Sequence, residues 1–97
     1  MTDRDEILSK LKALKPQLSQ RYGVTAIALF GSAARLDDFT IASDVDVLVS
    51  LEKPLGLDFV LLADEIEQSL GRKTDVLDDV VAKKKLWPFI EPDLIYV

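Results

Sequence analysis

Val24-Thr25-Ala26-Ile27-Ala28-Leu29-Phe30-Gly31-Ser32-Ala33-Ala34-Arg35 is the stretch whose reading decides the fold. Residues 24–30 are almost uniformly apolar and include branched side chains, which suits a short strand covered on both faces. Gly31-Ser32 ends the run at once, and residues 33–36 can start a short helix. A strand that delivers glycine and a hydroxyl to a helix start is a layout for an anion. Glycine lets backbone approach a ligand closely. The helix N-terminus offers N–H groups and a positive dipole end. Ser32 adds a hydrogen bond, and Arg35 in the first turn can reach a phosphate. Taken alone, the same residues also suit a plain turn with Ser32 as the helix cap.

Downstream, Asp44-Val45-Asp46-Val47-Leu48-Val49-Ser50 alternates like a strand, with Val45, Val47 and Val49 on one face. Asp44 and Asp46, two residues apart, then share the other face, about 6–7 Å apart along the chain. Two adjacent carboxylates among valines are unfavourable without a counter-ion, and a divalent cation supplies one. An isolated Asp-x-Asp is short and common, and a solvated edge strand produces it as readily. Asp75 sits in a third predicted strand, Thr74-Asp75-Val76-Leu77, where aspartate is disfavoured. If that strand lies beside residues 44–50, its carboxylate joins the first two; otherwise it is a solvent-facing edge residue. Phosphate-binding turn, paired carboxylates and third carboxylate follow in the order that metal-assisted nucleotidyl transfer needs.

The remaining elements frame these three. Ile7, Leu8, Leu11, Leu14 and Leu18 predict an amphipathic helix over residues 3–21, which Pro16 should kink or divide and Gly23 should end. Asp3 and Glu6 can form its capping box. Residues 37–43 read as a loop. A second amphipathic helix is expected over 56–70, with Phe59, Leu62, Ile66 and Leu70 as its stripe and Gly71 beyond its end. Asp78 or Asp79 caps a helical stretch to about Leu86. Pro88 and Pro92 bracket a short turn or helix, and residues 94–97 can form a last strand. The order α-β-α-β-α-β-α-β argues for an α/β (α+β) fold: a small sheet with helices packed on it.

Composition narrows the chemistry. The 97 residues allow one domain, 1–97, burying about 65% of the surface of the unfolded chain. With 48% hydrophobic and 30% charged residues the chain reads as globular. No apolar run approaches membrane-helix length, and the polar, acidic N-terminus is not a secretory signal. The chain has no cysteine and no histidine, so disulfides, thiolate metal sites and histidine acid–base chemistry lack their groups. A metal must sit on oxygen, which favours magnesium or manganese. The net charge of −5 disfavours general nucleic-acid binding but tolerates a small phosphate ligand carrying its own metal. Lys83-Lys84-Lys85 suits a solvated helix face better than an anion site. Trp87, Phe89 and Tyr96 suit either core packing or a partner patch, and the high apolar share allows an oligomeric interface.

The run Gly31-Ser32-Ala33-Ala34-Arg35, followed by Ser43-Asp44-Val45-Asp46-Val47-Leu48-Val49, resembles the signature of the DNA polymerase β-like nucleotidyltransferase superfamily. The short chain resembles its minimal nucleotidyltransferase (MNT) group. The family spaces Gly-Ser and Asp-x-Asp by about ten residues; here Ala33 to Ser43 make eleven, with the extra residue read into the loop of residues 36–42. The resemblance implies the polymerase β-like fold with a small mixed sheet. It implies that Gly31 and Ser32 hold a triphosphate and that Asp44 and Asp46 bind two magnesium ions, or manganese. Asp75 would then bind the metal nearer the acceptor and help deprotonate it. It also implies a cytoplasmic protein adenylyltransferase, moving AMP from ATP to a hydroxyl, such as a tyrosine of a HEPN-domain toxin. Such a protein is the type VII antitoxin of a HEPN/MNT toxin–antitoxin module. The alternative is an antitoxin that keeps the fold and neutralises its toxin by binding alone.

Overall fold

A computed structural model of the chain describes residues 3–35 and 43–97. The expected loop at 37–43 and the Leu36 end of the short helix fall almost wholly outside these. The elements are α1 (Asp3–Tyr22), β1 (Val24–Phe30), α2 (Ser32–Arg35), β2 (Val45–Leu51), α3 (Asp58–Leu70), β3 (Thr74–Asp78), α4 (Asp79–Lys85), α5 (Trp87–Ile90), a 3-10 turn (Glu91–Asp93) and β4 (Ile95–Tyr96). Strand order is β3-β2-β1-β4. β1 runs antiparallel to β2 and to β4, while β2 and β3 are parallel, so the sheet is mixed as expected. The parallel pair needs a crossover, and α3 supplies it.

Alternation in β1 and β2 sorts side chains onto two faces. Ile27 and Leu29 with Val45, Val47 and Val49 meet Ile7, Leu11 and Leu18 of α1 and Leu62, Ile66 and Leu70 of α3. Ala28 and Leu48 turn the other way, onto Ala82 of α4 and Ile90 of α5. Both faces are therefore covered, which explains why β1 reads as a continuous apolar run. Asp46 belongs to the α4–α5 side, where it borders the same cavity as Leu86 and Ile90. Among the described residues no helix is long and apolar enough to cross a membrane.

Element ends follow local chemistry. Gly23 and Gly71 take left-handed conformations past α1 and α3, and their N–H groups close on Ser19 O at 3.0 Å and Glu67 O at 2.9 Å. Of the two candidate caps for α4, Asp78 serves: its Oδ1 accepts from Val80 N at 3.0 Å. Asp79 instead accepts from Ser50 Oγ at 2.8 Å, tying α4 to β2. Gly56 and Leu57 precede α3 as a turn rather than opening it. Pro16 does not divide α1, which continues to Tyr22. Leu11 and Leu18, on either side of it, are fully buried. Their packing holds the helix together despite the missing N–H. A proline in a helix interior is about 3 kcal/mol less favourable than alanine. Pro16→Ala should therefore stabilise the chain by about 1–3 kcal/mol in denaturant titrations. A loss of stability would instead show that the ring itself packs usefully.

Candidate active site

The site begins where β1 ends. Gly31 has φ +75°, a conformation that L side chains rarely adopt. A Cβ there would also run into the Asp46 carboxylate and stand 3.2 Å from Asp46 Cγ. Glycine is thus required twice, by its backbone angle and by the side chain beneath it. The Gly31 carbonyl accepts from both Ala34 N and Arg35 N at 3.1 Å, so Gly31 holds the cap position of α2. Ser32 is the first helical residue instead, so the alternative reading of Ser32 as a plain helix cap does not hold. With four residues, α2 also sums too few peptide dipoles to act as a strong anion site by itself. Arg4 Nη1 donates to Ala34 O at 3.1 Å and fixes the other end of this turn.

Asp46 stands at the centre. In the ladder it lies opposite Phe30 of β1 on one side and Asp75 of β3 on the other. Adjacency of β2 and β3, the condition on which Asp75 depended, is met, although β3 is also an edge strand. Asp44 precedes β2 and pairs with Lys73 Nζ at 3.9 Å. The structure therefore brings Asp46 and Asp75 side by side, with Asp44 as a nearby charge turned toward Lys73. Among the described residues no three acidic side chains stand ready-made as a metal-ligand cluster. Electrostatics still link all three. Burial pushes the Asp46 carboxyl above its ordinary 3.8, the Asp75 and Asp44 charges push it further, and Arg35 opposes them.

Arg35 does not point freely toward a ligand. Its Nη1 donates to Asp93 Oδ2 at 2.5 Å, in the turn just before β4. Asp93 was not legible as a site residue: nothing local marks it, and only the pairing of β4 with β1 carries it there. Gly31, Arg35, Asp46, Asp75 and Asp93 border one cavity of about 400 Å³, whose apolar wall includes Leu77 and the exposed Phe89. A larger hollow of about 480 Å³ lies between α1 and α3, lined by Gln17, Asp64 and Glu65. It is across the sheet from the aspartates, and Arg21 pairs with Glu65 there. The smaller cavity is the one that gathers Gly31, Arg35, Asp46 and Asp75 from the expected site residues.

A carboxyl held above its ordinary value is protonated more readily in the folded chain than in the unfolded one. The contribution of Asp46 to stability is complete below about pH 3.8 and is lost as pH rises through its raised value. Asp46→Asn, neutral throughout, should escape that loss. Metal-free unfolding titrations should show Asp46→Asn more stable than wild type near neutral pH, with the gap closing in acid. A variant less stable at neutral pH would mean that the charge holds the fold together.

Comparison with known proteins bears on this geometry. The family described as nucleotidyltransferase domain matches residues 11–96. A candidate protein adenylyltransferase of Methanocaldococcus jannaschii is 40% identical over 94 residues, covering 95% of each chain. The protein adenylyltransferase MntA of Thermococcus cleftensis is 35% identical over 98 residues, covering 100% of this chain and 98% of its own. A solved structure described as a candidate minimal nucleotidyltransferase superposes with a TM-score of 0.76 at 26% identity, covering 97% of this chain and 95% of that one. Fold, site order and relatives agree, and the chain belongs to the nucleotidyltransferase domain family.

Proposed function

We propose that this chain acts as a single minimal nucleotidyltransferase domain that transfers AMP from ATP to a protein hydroxyl. The observation that carries the reading is Asp46 in register with Asp75, beneath a glycine whose missing Cβ leaves room for the carboxylate. The acceptor we infer is a tyrosine of a HEPN-domain toxin, which makes the chain a cytoplasmic antitoxin. The relatives named as protein adenylyltransferases support transfer to protein.

The residues fit divalent metal. Asp46 carries a charge that burial and two like neighbours disfavour, and the chain offers only oxygen ligands of the kind magnesium and manganese prefer. Asp44, Asp46 and Asp75 would hold it. When bound, magnesium neutralises the triphosphate and eases loss of the hydroxyl proton. Gly31 leaves the phosphates close access to backbone, and Ser32 and Arg35 hold them. The acceptor oxygen attacks the α-phosphorus, the bond from that phosphorus to the bridging oxygen breaks, and pyrophosphate departs. Asp75 takes the hydroxyl proton. The apolar wall at Phe89 and Leu77 excludes water beside the reacting atoms and suits an aromatic acceptor.

Incubation with α-labelled ATP, magnesium and a HEPN-domain protein should label that protein on a tyrosine. Asp46→Asn and Asp75→Asn should each slow labelling by at least about a hundredfold, the scale of several kcal/mol lost at a metal site. Ser32→Ala should weaken ATP binding roughly ten- to hundredfold, as for a hydrogen bond to a charged group. Its stability should barely change, because Ser32 is not the cap. Toxin binding without any labelling would favour neutralisation by binding alone.

A further inference from the structure

The ion pair between Arg35 and Asp93 joins two parts of the cavity wall that are far apart in the chain. Arg35 closes α2, directly after the Gly31-Ser32 turn. Asp93 ends the 3-10 turn that follows α5. The turn is well fixed: Trp87 Nε1 donates to Glu91 Oε2 at 2.8 Å, Pro92 restricts its backbone, and β4 follows at once alongside β1. The Asp93 side chain is only 16% exposed, against 44% for Arg35. The well-fixed member of the pair is therefore the acid, and the arginine is the side chain being held.

Resting on the nucleotidyltransfer reading, we propose that Asp93 is a positioning residue, which holds the Arg35 guanidinium at the cavity mouth in the orientation that receives the triphosphate. The alternative is a lock that phosphate must open. Opening it would strand a mostly buried carboxylate without its cation, close to an incoming polyanion, which is the costly way to break such a pair. A guanidinium, by contrast, is a planar fork of five donors and can serve a carboxylate and a phosphate together. Arg35 also bears on Asp46 electrostatically, so its placement reaches the aspartates. A long exposed arginine loses rotamer freedom when it grips a ligand; pairing with Asp93 imposes that order beforehand.

Calorimetry of the full chain with magnesium–ATP, without acceptor, tests this. Asp93→Ala should weaken binding by roughly tenfold, the scale of one charge-assisted hydrogen bond. Asp93→Asn, which keeps an acceptor oxygen and the side-chain shape, should weaken it less. In an Arg35→Ala background, Asp93→Ala should add no more than about a twofold change, because Asp93 acts through Arg35. Labelling assays should show the Asp93→Ala defect in KM for ATP, with kcat little altered. Unchanged or tighter ATP binding in Asp93→Ala or in Asp93→Asn overturns the proposal, and so does a full additional loss in the Arg35→Ala background. If Asp93→Ala fails to fold, Asp93→Asn with its own Arg35→Ala double variant decides by the same criteria. Wild-type protein that binds no triphosphate overturns the nucleotidyltransfer reading and this proposal with it.

Discussion

The Asp46 carboxylate is held where burial and two like charges disfavour it, and the surrounding strands fix it there. Val45, Val47 and Val49 are fully buried against α1 and α3. With a two-residue period, that burial forces Asp46 to the opposite face. There it meets Asp75 in register and the bare Cα of Gly31 above it. Burial and two neighbouring negative charges raise its pKa, with Arg35 as the opposing charge. A slip of one residue in β2 would put valine in the cavity and aspartate in the core, so the hydrophobic pattern and the site enforce the same register.

Positioning this one side chain requires the whole sheet. Antiparallel pairing with β1 supplies Gly31 and the turn; parallel pairing with β3 supplies Asp75. The parallel neighbour exists only because α3 returns the chain to the same end of the sheet. Its stripe of Leu62, Ile66 and Leu70 is buried on the face away from the cavity. On the near face, α4 and α5 cover Ala28 and Leu48 but stop short of Asp46, leaving Leu77 and Phe89 to wall the cavity. The carboxylates thus sit at the border between packed core and open space. That is the environment in which a bound cation and a phosphate ligand gain most from one another.

What the sequence reveals is what depends on local periodicity. β1, β2, the stripes of α1 and α3 and the ends at Gly23 and Gly71 all follow from spacing and from glycine. The candidate aspartates were visible as polar residues where strands disfavour them. Features that depend on distant contacts were not visible. Pro16 reads as a break, yet packing of Leu11 and Leu18 carries α1 through it. Ser32 suits a cap as readily as a phosphate ligand in sequence, yet the Gly31 carbonyl takes both first-turn bonds. Arg35 reads as a residue that can reach a phosphate, and its pairing with Asp93 stays hidden because Asp93 lies 58 residues further along the chain. Lys73 beside Asp44 is hidden in the same way, since only the β2–β3 pairing brings them together.

We propose Asp46 and Asp75 as the metal-dependent heart of a triphosphate site. Side-chain carboxyl carbon resonances, titrated with manganese in the presence of a non-hydrolysable ATP analogue, test it most directly. Asp46 and Asp75 should broaden first, followed by Asp44, at manganese levels that leave Asp64 and Glu65 across the sheet sharp. Broadening that starts at Asp64 and Glu65, or at Asp3, Asp5 and Glu6, while Asp46 and Asp75 stay sharp, would contradict it.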